Sequence, residues 1–386
     1  MNAPRLRFRE FGGEWEEKKL QDICNKIMDG THFSPKSTEG TKKYLTSKNI
    51  RNTGLDISNC NYISDDEHQE IYKKCPVKLG DVLLTKDGAN TGNCCINTLP
   101  EEFSLLSSVA VLSGKENLLN TLFLLQILQS CKGINTINNA MAGQAISRIT
   151  LEKINKFKFT FPKFLEQTKI AHFLTAVDDK ITQLTQKSEL LARYKKGVMQ
   201  QIFSQKLRFK DDDGREFPDW KEQELGDLCS TFKSGVGITS ERINNQGEYP
   251  VYGGNGLRGY TDTYTHDGFF ALIGRQGALC GNINRSVGKA YISEHAIAIC
   301  ANEKSDTEWL AQKLDLLNLN RLSESSAQPG LAVNKLVKLK LVTPSKPEQT
   351  KIANFLTALD DKLSHNKTQL NALKQYKQGL LQQLFV

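Results

Sequence analysis

The chain has 386 residues, enough for two or three domains that each bury a core. Its 51 Lys and Arg against 43 Asp and Glu leave a net charge of +8, a mild basic bias that permits a polyanionic partner. The most apolar run, 118–128, is interrupted by Asn120, Thr121 and Gln126, and the first residues lack an apolar signal core; the expectation is a cytoplasmic chain with no membrane partner.

Leu6-Arg7-Phe8, Glu10-Phe11 and the run WEEKKLQDIC at 15–24 open the chain. Short apolar runs at 81–85 and 109–112 predict strands, and 118–129 predicts a helix packed on them. Between them lies Lys86-Asp87-Gly88-Ala89-Asn90, then Gly92-Asn93. A cation at a strand end, followed by glycines that let another backbone approach, is either a structural turn or a loop whose cation touches a DNA phosphate or guanine edge. Lys86, Asn90 and Asn93 are DNA-contact candidates on the second reading. Arg148, closing GQAISR at 143–148, is another. KFKF at 156–159 alternates at period two and predicts a half-exposed strand over 157–161.

A long helix follows. Positions 170, 174, 177, 181, 184, 188, 191, 195, 198 and 202 form a 4,3-spaced seam whose polar members are Ser188 and Lys195. Such a stripe over about five heptads predicts a coiled-coil helix rather than an ordinary surface helix. Pro162 stands just before it, where a missing N–H costs little. Thirty-seven residues of helix would make a rod of roughly 55 Å.

The chain then repeats. Residues 166–203 (EQTKIAHFLTAVDDKITQLTQKSELLARYKKGVMQQIF) return 182 positions later as 348–385 (EQTKIANFLTALDDKLSHNKTQLNALKQYKQGLLQQLF), with 20 of 38 positions identical. The second seam runs through Ile352, Leu356, Leu359, Leu363, Asn366, Leu370, Leu373, Lys377, Leu380 and Leu384, with Pro344 and Pro347 at its start. Leu207-Arg208-Phe209 and WKEQELGDLC at 220–229 repeat the opening, and Arg275-Gln276-Gly277-Ala278 with Gly281-Asn282 repeats the turn. A period this long describes two copies of one domain-sized unit. Strands are expected at 269–273, 296–300 and 339–343, and a helix at 308–319. Around 249–264 (YPVYGGNGLRGYTDTY) glycines and tyrosines interleave with polar groups, which suits either a recognition surface or a glycine-rich surface loop. Tyr252, Asn255, Arg258, Arg275, Gln276 and Asn282 complete the DNA-contact candidates.

The first rod leads directly into Leu207-Arg208-Phe209, whereas the second stops at the chain end. Residues 1–10 are therefore expected beside the end of the second helix, which makes the rods antiparallel with a domain at each end. The expected fold class is α+β: two mixed α/β domains separated by an antiparallel coiled coil of two long helices, pseudo-two-fold symmetric. The parts are a first domain at 1–162, a spacer helix at 163–205, a second domain at 206–343 and a second spacer helix at 344–386.

The sequence lacks the machinery of most enzymes that act on nucleotides. There is no GxxxxGK[ST] loop, no glycine-rich turn for S-adenosylmethionine, no Asn/Asp-Pro-Pro-Tyr element and no histidine pair at metal spacing. Asp219 follows Pro218 as in some nucleases, without the expected Glu-x-Lys. Asp178-Asp179 and Asp360-Asp361 read as solvated surface beside Lys180 and Lys362. Nine cysteines with no CxxC pair read as reduced thiols. No catalytic, cofactor-binding or metal residue is assigned.

The Trp-x4-Leu-x-Asp/Gly-x-Cys opening, the Lys/Arg-x-Gly-Ala-x-x-Gly turn and the motif PKFLEQTKIAHFLTAVD at 162–178, repeated as PSKPEQTKIANFLTALD at 344–360, resemble one family. The chain is similar to the specificity subunits of type I restriction–modification enzymes. The resemblance implies two target-recognition domains, each reading one half of a split site in double-stranded DNA. It also implies helices that dock two methyltransferase subunits, which carry S-adenosylmethionine and flip the adenine. Restriction–translocase subunits using ATP and Mg would join to cut unmodified DNA, and the chain itself would bind no cofactor and be no enzyme. The alternative is a coiled-coil scaffold joining two protein-binding modules.

Overall fold

The computed structural model describes residues 4–37, 39–141, 148–277, 279–323 and 330–385. Residues 1–3, the 143–147 part of the GQAISR run and Ala278 of the second turn lie outside the described residues. The chain divides into two compact units, Met1–Thr185 with Thr368–Val386, and Gln186–Lys367.

In the first unit β1 (Cys24–Asp29), β2 (Val82–Thr85), β3 (Cys94–Ile96) and β4 (Val109–Gly114) form an antiparallel sheet in the order β1-β4-β2-β3. Its central strands are apolar over Val82, Leu83 and Leu84 and over Val109 to Leu112 because both faces are covered there. Val82, Leu84, Ala110 and Leu112 face a core shared with α1 (Thr121–Gln129) and the long helices. Leu83, Val109 and Val111 face a second core with Leu45, Phe103 and Leu105. This is the period-two alternation of a pleated strand buried on both sides. A short strand, Lys158–Phe161, pairs antiparallel with Glu16–Lys19 and leads into α2 (Phe164–Phe203).

The second unit rebuilds the same four strands. β5 (Cys229–Ser234), β6 (Tyr249–Gly253), β7 (Gly256–Thr261), β8 (His266–Gly274), β9 (Ile283–Ile292) and β10 (Ala296–Ala301) form one sheet in the order β5-β10-β8-β9-β6-β7. Here the hairpin β6–β7 extends the sheet by a parallel β6–β9 contact, whereas the first unit uses a separate three-stranded sheet at the matching place. Ala271, Ile273, Ile297 and Ile299 face α3 (Thr307–Leu316), with Phe270, Leu272, Ala296 and Ala298 on the other side. Lys340–Thr343 pairs with Lys221–Glu224 before α4 (Lys346–Leu384).

Within each unit the first half of one long helix packs against the last half of the other. Ile170, Leu174 and Val177 share a core with Leu380, Leu381 and Leu384 in the first unit. Val198, Met199 and Ile202 do so with Ile352, Leu356 and Leu359 in the second. The helices are therefore antiparallel. The N-terminal segment lies where the repeat places it, the Leu6 N–H donating to the Gln383 carbonyl at 3.0 Å.

The repeated motif Glu-Gln-Thr-Lys-Ile-Ala is a packing instruction. Glu166 and Glu348 are both buried, at 2% and 0% exposure, and each receives a two-pronged arginine from the segment that starts its unit. Arg7 donates to Glu166 through Nε and Nη2, both at 2.8 Å, and Arg208 donates to Glu348 at 3.1 and 2.8 Å. The same guanidiniums hold the carbonyls of Gly12 and Gly13, or of Phe217 and Pro218. Gln167 and Gln349 each donate to the preceding proline carbonyl and accept the backbone N–H of the capping residue of α1 or α3, Asn120 or Asp306. Ile170, Ala171, Ile352 and Ala353 then enter the cores.

The two seam lysines also have matched partners. Lys377 pairs with Asp178 at 2.6 Å, and Gln126 of α1 donates to the same carboxylate at 3.0 Å. Lys195 pairs with Asp360 at 2.5 Å, with Gln312 of α3 donating at 2.9 Å. Asp178 and Asp360 are thus not plain solvated surface. Each ties a long helix to its opposite number and to a domain helix, whereas Asp179 and Asp361 are exposed.

Removing one partner of a buried charge pair leaves the other stranded. Glu348→Ala is expected to lower the unfolding free energy of the second unit by about 3–5 kcal/mol, read from the denaturant midpoint by tryptophan fluorescence. Adding Arg208→Ala to it is expected to cost little more, because the arginine has already lost its acceptor.

Candidate nucleic-acid interface

The strand-end turn is built twice, bond for bond. In the first unit Gly92 donates to the Thr85 carbonyl, Thr85 to Asn93 and Asn93 to Asn90, at 2.8 to 3.0 Å. In the second, Gly281 donates to Gly274, Gly274 to Asn282 and Asn282 to Leu279, at 2.8 to 3.1 Å. Gly88 and Gly92 at φ +93° and +98° match Gly277 and Gly281 at +80° and +87°, a region that side chains with a Cβ rarely adopt. Backbone bridges complete the match, Asp87 with Arg148 and Gln276 with Gly330.

The cations at these turns have different surroundings. Lys86 is 2% exposed, and its ammonium lies 3.0 Å from the Asp29 carboxylate at the end of β1. It is an internal cation, not one presented to a ligand, because Asp29 neutralises it inside the fold. Asn90 and Asn93 are half-buried, donating through Nδ2 to the carbonyls of Ser47 (3.3 Å) and Ile50 (3.4 Å). Arg148 is half-exposed and lies 3.8 Å from Asp87. These four residues surround one turn, with the polar capacity of three of them directed inward.

In the second unit the candidates converge on an edge. The hairpin turn between β6 and β7 lies against the ends of β8 and β10: a Cβ built on Gly254 would stand 2.8 Å from the His295 carbonyl oxygen and 3.6 Å from the Arg275 nitrogen. Asn255 is exposed at that turn, and exposed Arg258 folds its side chain over Gly253. Gln276 is exposed, its Oε1 3.2 Å from His295 Nδ1. Arg275 is half-buried beside it, and Asn282 closes the turn as an exposed residue. Tyr252 belongs partly to the core, packing with Phe270 and Ile292.

One feature of the first unit escaped the sequence reading. Residues 29–36 and the helix Asp65–Lys74 line a cleft of about 440 Å³, with Phe33 79% exposed at its lip and His32 Nε2 3.4 Å from Asp29. The signal was present in Asp-Gly-Thr-His-Phe-Ser-Pro at 29–35, where Phe33 stands three residues beyond Gly30, just past the end of β1. Among the described residues no group of three or more His, Cys, Asp and Glu could hold a metal ion, and no helix is long and apolar enough to cross a membrane.

A family model described as the type I restriction modification DNA specificity domain matches residues 12–192 and again 218–375. The chain belongs to this family. As a specificity subunit it is 40% identical over 174 residues to the Escherichia coli EcoprrI type I specificity subunit, a match covering 44% of this chain and only 42% of the relative. A putative type I specificity subunit of Methanocaldococcus jannaschii, MjaX, matches nearly end to end, 98% and 95% of the two chains at 25% identity. The crystal structure of the Mycoplasma genitalium type I S subunit has the same fold, with a TM-score of 0.74 over 100% of this chain and 99% of that one at 20% identity.

Four thiols of the specificity subunit lie buried in the two cores of its first unit. Burial pushes Cys24, Cys75, Cys94 and Cys95 up to about 12, so they stay protonated at neutral pH. Alkylation of native protein at pH 8 is expected to modify exposed Cys131 first and to spare these four until the unit unfolds, as peptide mass spectrometry would record. Rapid native labelling of Cys94 would contradict this packing.

Proposed function

We propose that this specificity subunit recognises a two-part site in double-stranded DNA, one half per unit, and that its paired long helices set the separation of the halves. The observation that carries the reading is the strand-end turn, built twice with the same hydrogen bonds and set among different side chains. A constant frame presenting different chemistry is what reading two different short sequences requires. Base edges are told apart by the donors and acceptors presented to them, and Arg, Asn and Gln at the second edge are suited to this.

The long helices dock two methyltransferase subunits in this reading. It is supported by Tyr194 and Tyr376, which occupy the same repeat position and are 54% and 53% exposed. Large exposed aromatics suit interface anchors, and duplicated anchors suit two copies of one partner. The subunit performs no catalytic step itself. S-adenosylmethionine belongs to the methyltransferase, ATP and Mg to a restriction–translocase partner, and the assembly works on DNA in the cytoplasm. The modest charge of +8 leaves a share of phosphate attraction to those partners.

Exchange of residues 11–160 for those of a relative, followed by methylome sequencing of cells that also carry the methyltransferase, tests the reading. One half of the methylated motif is expected to change while the other half and the spacing persist. Alteration of both halves would refute one-unit, one-half recognition.

A further inference from the structure

The two turns are equivalent in every backbone contact, so side chains can be compared place by place. β1 and β5 align through their sheet partners: Asp29 lies opposite Ala110 in β4, and Ser234 lies opposite Ile297 in β10. Val109 opposite Thr85 and Ala296 opposite Gly274 fix the same register next door. Ser234 therefore occupies the place of Asp29, as Arg275 occupies that of Lys86. The first unit neutralises its strand-end cation internally, at 3.0 Å. The second carries a hydroxyl, Ser234, where the first has a carboxylate, and an arginine where the first has a lysine. Among the described residues the Arg275 guanidinium has no hydrogen-bond or ion-pair partner, although it is half-buried.

A half-buried cation without a counter-charge is costly to keep. Its backbone is nevertheless held on both sides, the N–H donating to the His295 carbonyl at 2.9 Å and the carbonyl accepting from Leu331 at 2.9 Å. The side chain thus leaves a rigid strand end with its donors unengaged, flanked by the exposed amides of Asn255 and Gln276. A planar fork of N–H donors in that setting matches a pair of acceptors on one plane.

We propose that Arg275 is a specificity-determining residue of the second unit, reading the O6/N7 edge of a guanine in the major groove, and that Ser234, standing where the first unit has the Asp29 carboxylate, leaves it free to do so. The assignment rests on the DNA reading above. It also makes the halves unequal: the first unit reads its half without the cation of its own turn.

The test uses the assembly of this chain with two methyltransferase subunits and a duplex carrying the site mapped by methylation, together with duplexes in which each base pair is replaced in turn. Arg275→Gln is expected to lower discrimination at one guanine by roughly 10- to 100-fold, in the half that does not change when 11–160 are exchanged. Ser234→Asp, which restores the internal counter-charge, is expected to produce the same loss with an unchanged unfolding midpoint. Retention of every base preference by either variant overturns the proposal. Equal weakening on all duplexes overturns it too, since that marks a phosphate contact. A wild-type assembly without any base preference would instead sink the DNA reading, and this inference with it.

Discussion

A buried carboxylate at the start of each long helix organises the structure. Glu166 and Glu348 lie where three strands of logic meet: the segment that opens the unit, the helix that closes it and the core between. Burying a carboxylate is unfavourable unless it is paired and hydrogen-bonded. Arg7 and Arg208 meet that need with bidentate geometry, and Trp220 adds an N–H to Glu348 at 3.1 Å. Because each arginine also grips carbonyls of its own segment, the pair determines where the chain enters each unit as well as neutralising the charge. The adjacent glutamine does the same for the domain helix by satisfying its capping residue. One six-residue motif thereby anchors three elements, which explains why its two copies are so similar while their surroundings differ.

The pairs Asp178–Lys377 and Asp360–Lys195 act one level up. Each links the first half of one long helix to the second half of the other, and each carboxylate is also held by a glutamine from a domain helix. A slip of either helix along its partner would leave a half-buried lysine facing no acceptor. Polar groups in an apolar seam give up stability for a defined register and direction. Within each unit the ion pair consequently fixes the register of one helix segment against the other.

Divergence is concentrated where the frame leaves freedom. Four strands and one turn are shared by both units, yet one sheet grows a hairpin while the other unit forms a cleft between residues 29–36 and the helix Asp65–Lys74. Backbone hydrogen bonds tolerate almost any outward side chain, so the turn persists while its chemistry is exchanged.

The sequence by itself determined the duplication, the two long helices with their direction, and the positions of the main strands. These features repeat at short, regular periods, or at an offset that is constant within each repeated motif, and such regularity is visible in the chain alone. The 118–129 helix and the strands near 82, 109, 158, 270, 297 and 340 lie within a few residues of their expected places for that reason. What remained hidden was which charge faces which. Lys86 and Arg275 look alike in the chain, as do Asp178 and Asp179. Only the tertiary structure decided that Asp29 meets Lys86 and that Asp178 meets Lys377, because ion-pair partners are chosen by the register of strands and helices far apart in sequence. The energy of a charge depends on that choice more than on any local pattern.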